Sequence, residues 1–214
     1  MKTTKTVMMA FLLLGISAGA FAQAQFAVGI KAGPNFSKIN TEASAGENYD
    51  NRTGFNAGAF FLIRGERIGF QPEVMFSQQG SKFKVNTGDP SLEANFSYVN
   101  IPLIVKLYTV AGINLQVGPQ IGFLTSAEKE DYASGQSGPI TTEDIKSDLK
   151  KTDFSLALGV GWDLPLGFSI DGRYNWGLSD INNTNSGASS STIKNQVWQI
   201  SVGYKLFKSG EVGK

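Results

Sequence analysis

Downstream of Gln23 no stretch of the chain sustains a helical period; apolar and polar residues alternate one for one in eight separate runs. The clearest is Ile113-Asn114-Leu115-Gln116-Val117-Gly118-Pro119-Gln120-Ile121-Gly122-Phe123. Its odd positions are apolar or proline, and its even positions are Asn, Gln or Gly. Successive side chains of a strand point to opposite faces, so this period predicts one apolar and one polar face. The next run sets Phe154, Leu156, Leu158, Val160, Trp162 and Leu164 against Asp153, Ser155, Ala157, Gly159, Gly161 and Asp163. Residues 168–178 place Phe168, Ile170, Tyr174, Trp176 and Leu178 opposite Ser169, Asp171, Arg173, Asn175 and Gly177. The last run opposes Trp198, Ile200, Val202, Tyr204 and Leu206 to Gln199, Ser201, Gly203 and Lys205. Four earlier runs, over 26–36, 55–64, 68–79 and 97–108, are less regular, and Phe60 and Leu62 blur the second. Pro34, Pro72, Pro102 and Pro119 fall inside the runs, where each should mark a bulge, an edge or a register break.

The connections predicted between these strands alternate in length. Residues 65–67, 109–112 and 165–167 make short turns, whereas 37–53, 80–96, 125–152 and 179–194 make long polar loops. In an up-and-down meander this puts every short turn at one end and every long loop at the other. A soluble sandwich has no reason to segregate its loops so, whereas an outer-membrane barrel does. The third loop is the most charged, and the fourth holds the low-complexity stretch 182–191.

The first 22 residues read differently. Lys2 and Lys5 precede an apolar stretch over 7–18, and Ala20-Phe21-Ala22 supplies a small-x-small cleavage site. The stretch is shorter than the roughly 18 apolar residues of a spanning helix. A cleaved secretory signal over 1–22 is therefore expected, then a barrel over 23–207 and a short tail over 208–214.

Composition decides which face meets what. Charged residues are only 17% of the chain, there are 25 glycines, and histidine and cysteine are absent. Triad and thiolate catalysis, disulfides and ordinary zinc sites are thereby excluded. A formal charge of +1 offers no basic field for nucleic acid. A lipocalin-like barrel also has an apolar face, but turned inward under a charged exterior. Here the non-apolar face is thin in charge and lined by Gly29, Gly33, Gly58, Gly69, Gly118, Gly122, Gly159, Gly161, Gly177 and Gly203. Small side chains suit a narrow interior, and backbone groups in hydrocarbon must all be paired, so a closed barrel with its apolar face in lipid follows. Phe26, Phe36, Phe55, Phe76, Phe96, Tyr108, Phe154, Trp162, Trp176 and Trp198 lie near strand ends, where an interfacial aromatic girdle is expected.

The charges expected on the inward face are Lys31, Arg64, Glu73, Lys106, Asp153, Asp163, Asp171, Arg173 and Lys205. Five are basic and four acidic. They suit a polar channel or, better, a structural ion-pair network filling the lumen, with Glu73 and Asp171 meeting Lys31, Lys106, Arg173 or Lys205. A hydrolase built from Glu73 and Asp171 alone is the remaining enzymatic reading.

Several segments together carry a resemblance. They are Gly29-Ile30-Lys31-Ala32-Gly33-Pro34-Asn35-Phe36-Ser37, Gly54-Phe55-Asn56-Ala57-Gly58, Gln71-Pro72-Glu73-Val74-Met75-Phe76-Ser77-Gln78-Gln79-Gly80 and Tyr98-Val99-Asn100-Ile101-Pro102-Leu103. On these the chain resembles the PorT-like outer-membrane β-barrel family of Gram-negative bacteria, also called the porin family. That resemblance implies an eight-stranded barrel in the outer membrane. One founding member of the family is tied to protein secretion.

The expectation is therefore an all-β, eight-stranded, antiparallel up-and-down transmembrane barrel, monomeric, with no cofactor and no enzymatic activity. Its partners are outer-membrane lipid and whatever extracellular or secretion-complex components its loops contact. A structural, adhesive or small-solute role fits best. The alternatives are a soluble exported barrel binding an apolar ligand, and an accessory of a secretion complex.

Overall fold

The computed structural model describes residues 24–41, 48–84, 91–132, 139–181 and 193–210. The expected signal segment, the low-complexity stretch 182–191 and the last four residues lie outside the described residues. The strands are β1 (Gln25–Thr41), β2 (Asn48–Arg64), β3 (Ile68–Lys84), β4 (Ser91–Tyr108) and β5 (Ile113–Tyr132). They continue as β6 (Thr141–Asp144), β7 (Thr152–Asp163), β8 (Phe168–Gly177) and β9 (Ile193–Ser209).

All pairings are antiparallel, and eight strands form a ring in which each pairs with its neighbours in sequence, β5 passing directly to β7. The ring closes through β1 and β9, with Ile30 opposite Tyr204 and Ala32 opposite Val202. The short β6 pairs only with β5 and is not part of the ring. Closure leaves no edge along the spanning region, as a lipid environment requires.

The alternation survives as a two-sided wall. Leu115, Val160, Val202 and Trp198 face outward, while Asn114, Gln116 and Ser201 face the lumen and are buried. Eight of the ten girdle aromatics are outward. Phe26 and Phe61 stack at the short-turn end, where Phe168 and Tyr204 also pair. Phe55 with Phe76 and Tyr174 with Trp198 form the belt at the other end. Phe96 and Tyr108 correct the expectation: both are buried in the lumen, because inward positions of β4 are even-numbered.

Three further differences have physical causes. The prolines do not shift the register. Pairing lapses beside Pro34 and beside Pro102, then resumes with the same offset, while the shifts lie at Val28/Gly29, Asn51/Asn56 and Ser97/Tyr98. A missing donor costs one ladder bond; it does not add a residue. Second, Phe60 and Leu62 are inward and pack on Ala27 as an apolar layer inside the barrel. Third, β1 to β5 run well into the expected loops. Above the lipid no hydrocarbon imposes an apolar outer face, so alternation in the sequence fades although backbone pairing continues.

The third loop is partly built. Beyond the bulge at Ser97/Tyr98, Leu124 and Ala127 both face inward, which an odd spacing permits only with an extra residue between them. They join Ala94, Phe96, Tyr98 and Leu149, with Ile145 packed against the group. At the opposite end the turns are tight. Gly112 (φ 83°) and Gly167 (φ 90°) each take a left-handed conformation after a residue that does the same, Ala111 and Leu166.

Candidate functional site: the charged lumen

Strand parity turns the nine predicted charges inward, but register decides their height. Seven of them join in one network. The Arg173 guanidinium donates to both Glu73 oxygens, Nη1 to Oε2 at 2.8 Å and Nη2 to Oε1 at 2.7 Å. Lys31 Nζ lies between two carboxylates, 2.9 Å from Glu73 Oε1 and 3.2 Å from Asp171 Oδ2. Lys106 Nζ sits 3.3 Å from Asp163 Oδ1 and 3.7 Å from Asp171 Oδ1. Lys205 Nζ completes the set at 2.7 Å from Asp163 Oδ2. The side chains of Lys31, Glu73, Lys106, Asp171 and Arg173 are all 2% exposed or less, so the network is sealed from solvent.

Neutral side chains stitch these ions together. Gln116 accepts from Arg173 Nε at 2.6 Å and donates to Asp171 Oδ1 at 2.6 Å. Gln71 donates to Glu73 Oε1 at 2.6 Å, and the Tyr108 hydroxyl donates to Asp163 Oδ2 at 3.0 Å. Buried ions persist in a low-dielectric interior only when their remaining lone pairs and protons are satisfied in this way. Charge patterning could not identify Gln116 or Gln71, although inward parity and amide chemistry were both visible in the sequence.

The two remaining charges stand at opposite ends. Arg64, at the short-turn end, has its guanidinium carbon 3.7 Å from the Tyr108 ring centre. It forms no ion pair with a described carboxylate. Asp153, at the long-loop end, accepts from Ser179 Oγ at 2.7 Å and from Asn195 Nδ2 at 3.1 Å, with no cation among the described residues. Neither enters the central network that the sequence suggested for them. Alternation assigns a face, but not a position along the barrel axis.

Beside the ions, towards the long loops, lies a neutral layer. Asn56 Nδ2 donates to Asn35 Oδ1 at 2.9 Å, Asn35 Nδ2 to Ser77 Oγ at 2.9 Å, and Ser201 Oγ to Asn56 Oδ1 at 2.9 Å. Gln199 Nε2 reaches Asn35 Oδ1 at 3.3 Å. These bonds tie β3, β2, β1 and β9, four neighbours in the ring, along one side of the lumen. Gly161 keeps space on β7, since a Cβ there would meet Gln116 Nε2 and lie 2.6 Å from Asp171 Oδ1.

A closed ring of eight antiparallel strands, apolar outside and polar inside, is a transmembrane β-barrel. Residues 21–183 match the outer membrane protein beta-barrel domain family. The chain belongs to that family and is a protein of the outer membrane. Among solved structures it is similar to Neisserial surface protein A, with 13% identity over 85% of this chain and 97% of that chain and a TM-score of 0.49. Ail, the attachment invasion locus protein of Yersinia pestis, shares 16% identity over 87% of this chain and 99% of its own, with a TM-score of 0.48. No curated protein sequence matches the chain.

Proposed function

We infer that this protein is a non-enzymatic outer-membrane scaffold with a blocked lumen, which acts through the rim formed by its long hairpins. The observation that carries this reading is the central network. Side chains from β1, β3, β4, β7, β8 and β9 meet there at hydrogen-bond distance. An eight-stranded barrel is just wide enough for side chains to fill. A lumen so filled favours a structural or adhesive role over solute passage. Glu73 and Asp171 are each engaged by cations and share Lys31, so neither is free to serve as a hydrolytic acid or base. The motif segments from Gly29 to Leu103 support membership of the PorT-like group within the wider family, and the 1–22 segment supports export by a cleaved signal.

The test is conductance of the purified, folded protein in planar lipid bilayers. Silence, or only rare brief openings, is the expected record. Steady, long-lived channels would overturn the blocked-lumen reading and return small-solute passage to first place.

A further inference from the structure

The lumen charges divide unequally by height. In the middle tier Lys31 and Arg173 face Glu73 and Asp171, two cations against two anions. Towards the short-turn end, Lys106 and Lys205 pair with Asp163, Lys106 also lying 3.7 Å from Asp171 Oδ1, and a third cation, Arg64, stands on the Tyr108 ring beside them. Asp163 is already committed: Lys106, Lys205 and the Tyr108 hydroxyl all donate to it. Arg64 makes no ion pair with it. The Arg64 Nε is itself buried and lacks any hydrogen-bond partner.

We propose that the periplasmic mouth of this barrel binds a small oxoanion, a carboxylate or phosphate group, on Arg64. The guanidinium face rests on the Tyr108 ring at 3.7 Å, which fixes its plane; with Nε sealed, the Nη groups of this partly buried side chain are the ones left to meet an acceptor. Arg64 pairs with Gly69, which in turn pairs with Lys106, and the Tyr108 ring on which Arg64 rests lies over that glycine, where a Cβ would be 3.0 Å from Tyr108 Cε2. Leu62, Phe60 and Ala27 form an apolar layer one step deeper and lower the local dielectric. An orphaned donor beside surplus positive charge is costly in such surroundings. An oxoanion supplies the missing charge and the missing acceptors together, and its planar or tetrahedral oxygens match the guanidinium fork. Access is from the periplasm, because Arg64 ends β2 at the 65–67 turn and is only partly buried. This site would stand even if the lumen conducted.

The experiment uses the full chain folded in zwitterionic micelles. Inorganic phosphate is titrated against chloride at matched ionic strength, following the Arg64 Nε–H resonance by NMR and affinity by calorimetry. A saturable shift with phosphate alone is expected, and Arg64→Gln should weaken binding at least about tenfold, the loss of one charge-assisted hydrogen bond. A shift that chloride reproduces, that never saturates, or an Arg64→Gln protein with unchanged affinity overturns the proposal. Should Arg64→Gln fail to fold, Lys205→Gln retains Arg64 and must still weaken phosphate binding; unchanged affinity there overturns it equally. Phosphatidylcholine nanodiscs with and without phosphatidylglycerol, in phosphate-free buffer, separate two sources. A resonance already at its bound position assigns the phosphate to a lipid headgroup, and an unmoved one assigns it to a soluble anion.

Discussion

Glu73 accepts four hydrogen bonds in the lumen, from Arg173, Lys31 and Gln71. Replacing it with Ala strands the buried Arg173 and leaves Lys31 with Asp171 alone, and breaking a buried pair from one side costs about 3–5 kcal/mol. Urea unfolding in lipid vesicles should register a loss of that size; a loss under about 1 kcal/mol would mean the surviving cations find water. Parity alone brought Glu73 and its partners to one face of the wall in the sequence. Their mutual distances were not legible, since these depend on pairing across strands up to 140 residues apart. Arg64 and Asp153 show the consequence. Both were assigned to the inward face, and they lie at the two ends because their strands enter the register there. Gln116 was visible as a polar inward position, but an amide carries no charge to mark it as the link between Arg173 and Asp171.

Among elements, the spanning parts were the most legible, because one face in lipid and one in the lumen impose a strict period of two. The collar above the lipid lacks that constraint, and its pairing could not be read. The β4–β5 bulge is the sharpest instance. It reverses parity after Leu124, brings Ala127 inward, and gives Leu149 a surface to cover. The hydrogen bond from the Ile145 amide to Ala127 O, 3.0 Å, depends on this packing. Leu149→Ala removes a buried apolar side chain worth about 2 kcal/mol or more. Exchange of the Ile145 amide with deuterium should therefore quicken at least about tenfold, while amides in the spanning part of β5 keep their protection. Unchanged exchange at Ile145 would show that its hydrogen bond holds without the apolar cap.

On the scale of the whole molecule, the ring is closed by hydrogen bonds on every strand and locked across its interior by the network. Such a structure should resist detergent at room temperature. Unheated protein is expected to migrate on a denaturing gel at a position different from the boiled sample, and to remain with membranes on fractionation. Identical mobility with recovery in the soluble fraction would contradict the closed barrel.

The wall of the barrel is uneven in height. β7 and β8 have 12 and 10 residues, close to what a tilted span needs, whereas β5 has 20 and leaves β7 behind at Phe123. At about 3.3 Å per residue and a tilt near 40°, the taller side stands roughly 20 Å or a little more above the shorter. That is more than two Debye lengths, of about 8 Å each, at physiological ionic strength. The charges on the high side, Glu130, Asp131 and Glu143, are therefore screened from the charge of the lipid headgroups below. Lys150 and Lys151, on the low side beside β7, are not. A change in membrane lipid charge should thus alter what gathers at the low side and leave the high side's electrostatic attraction untouched.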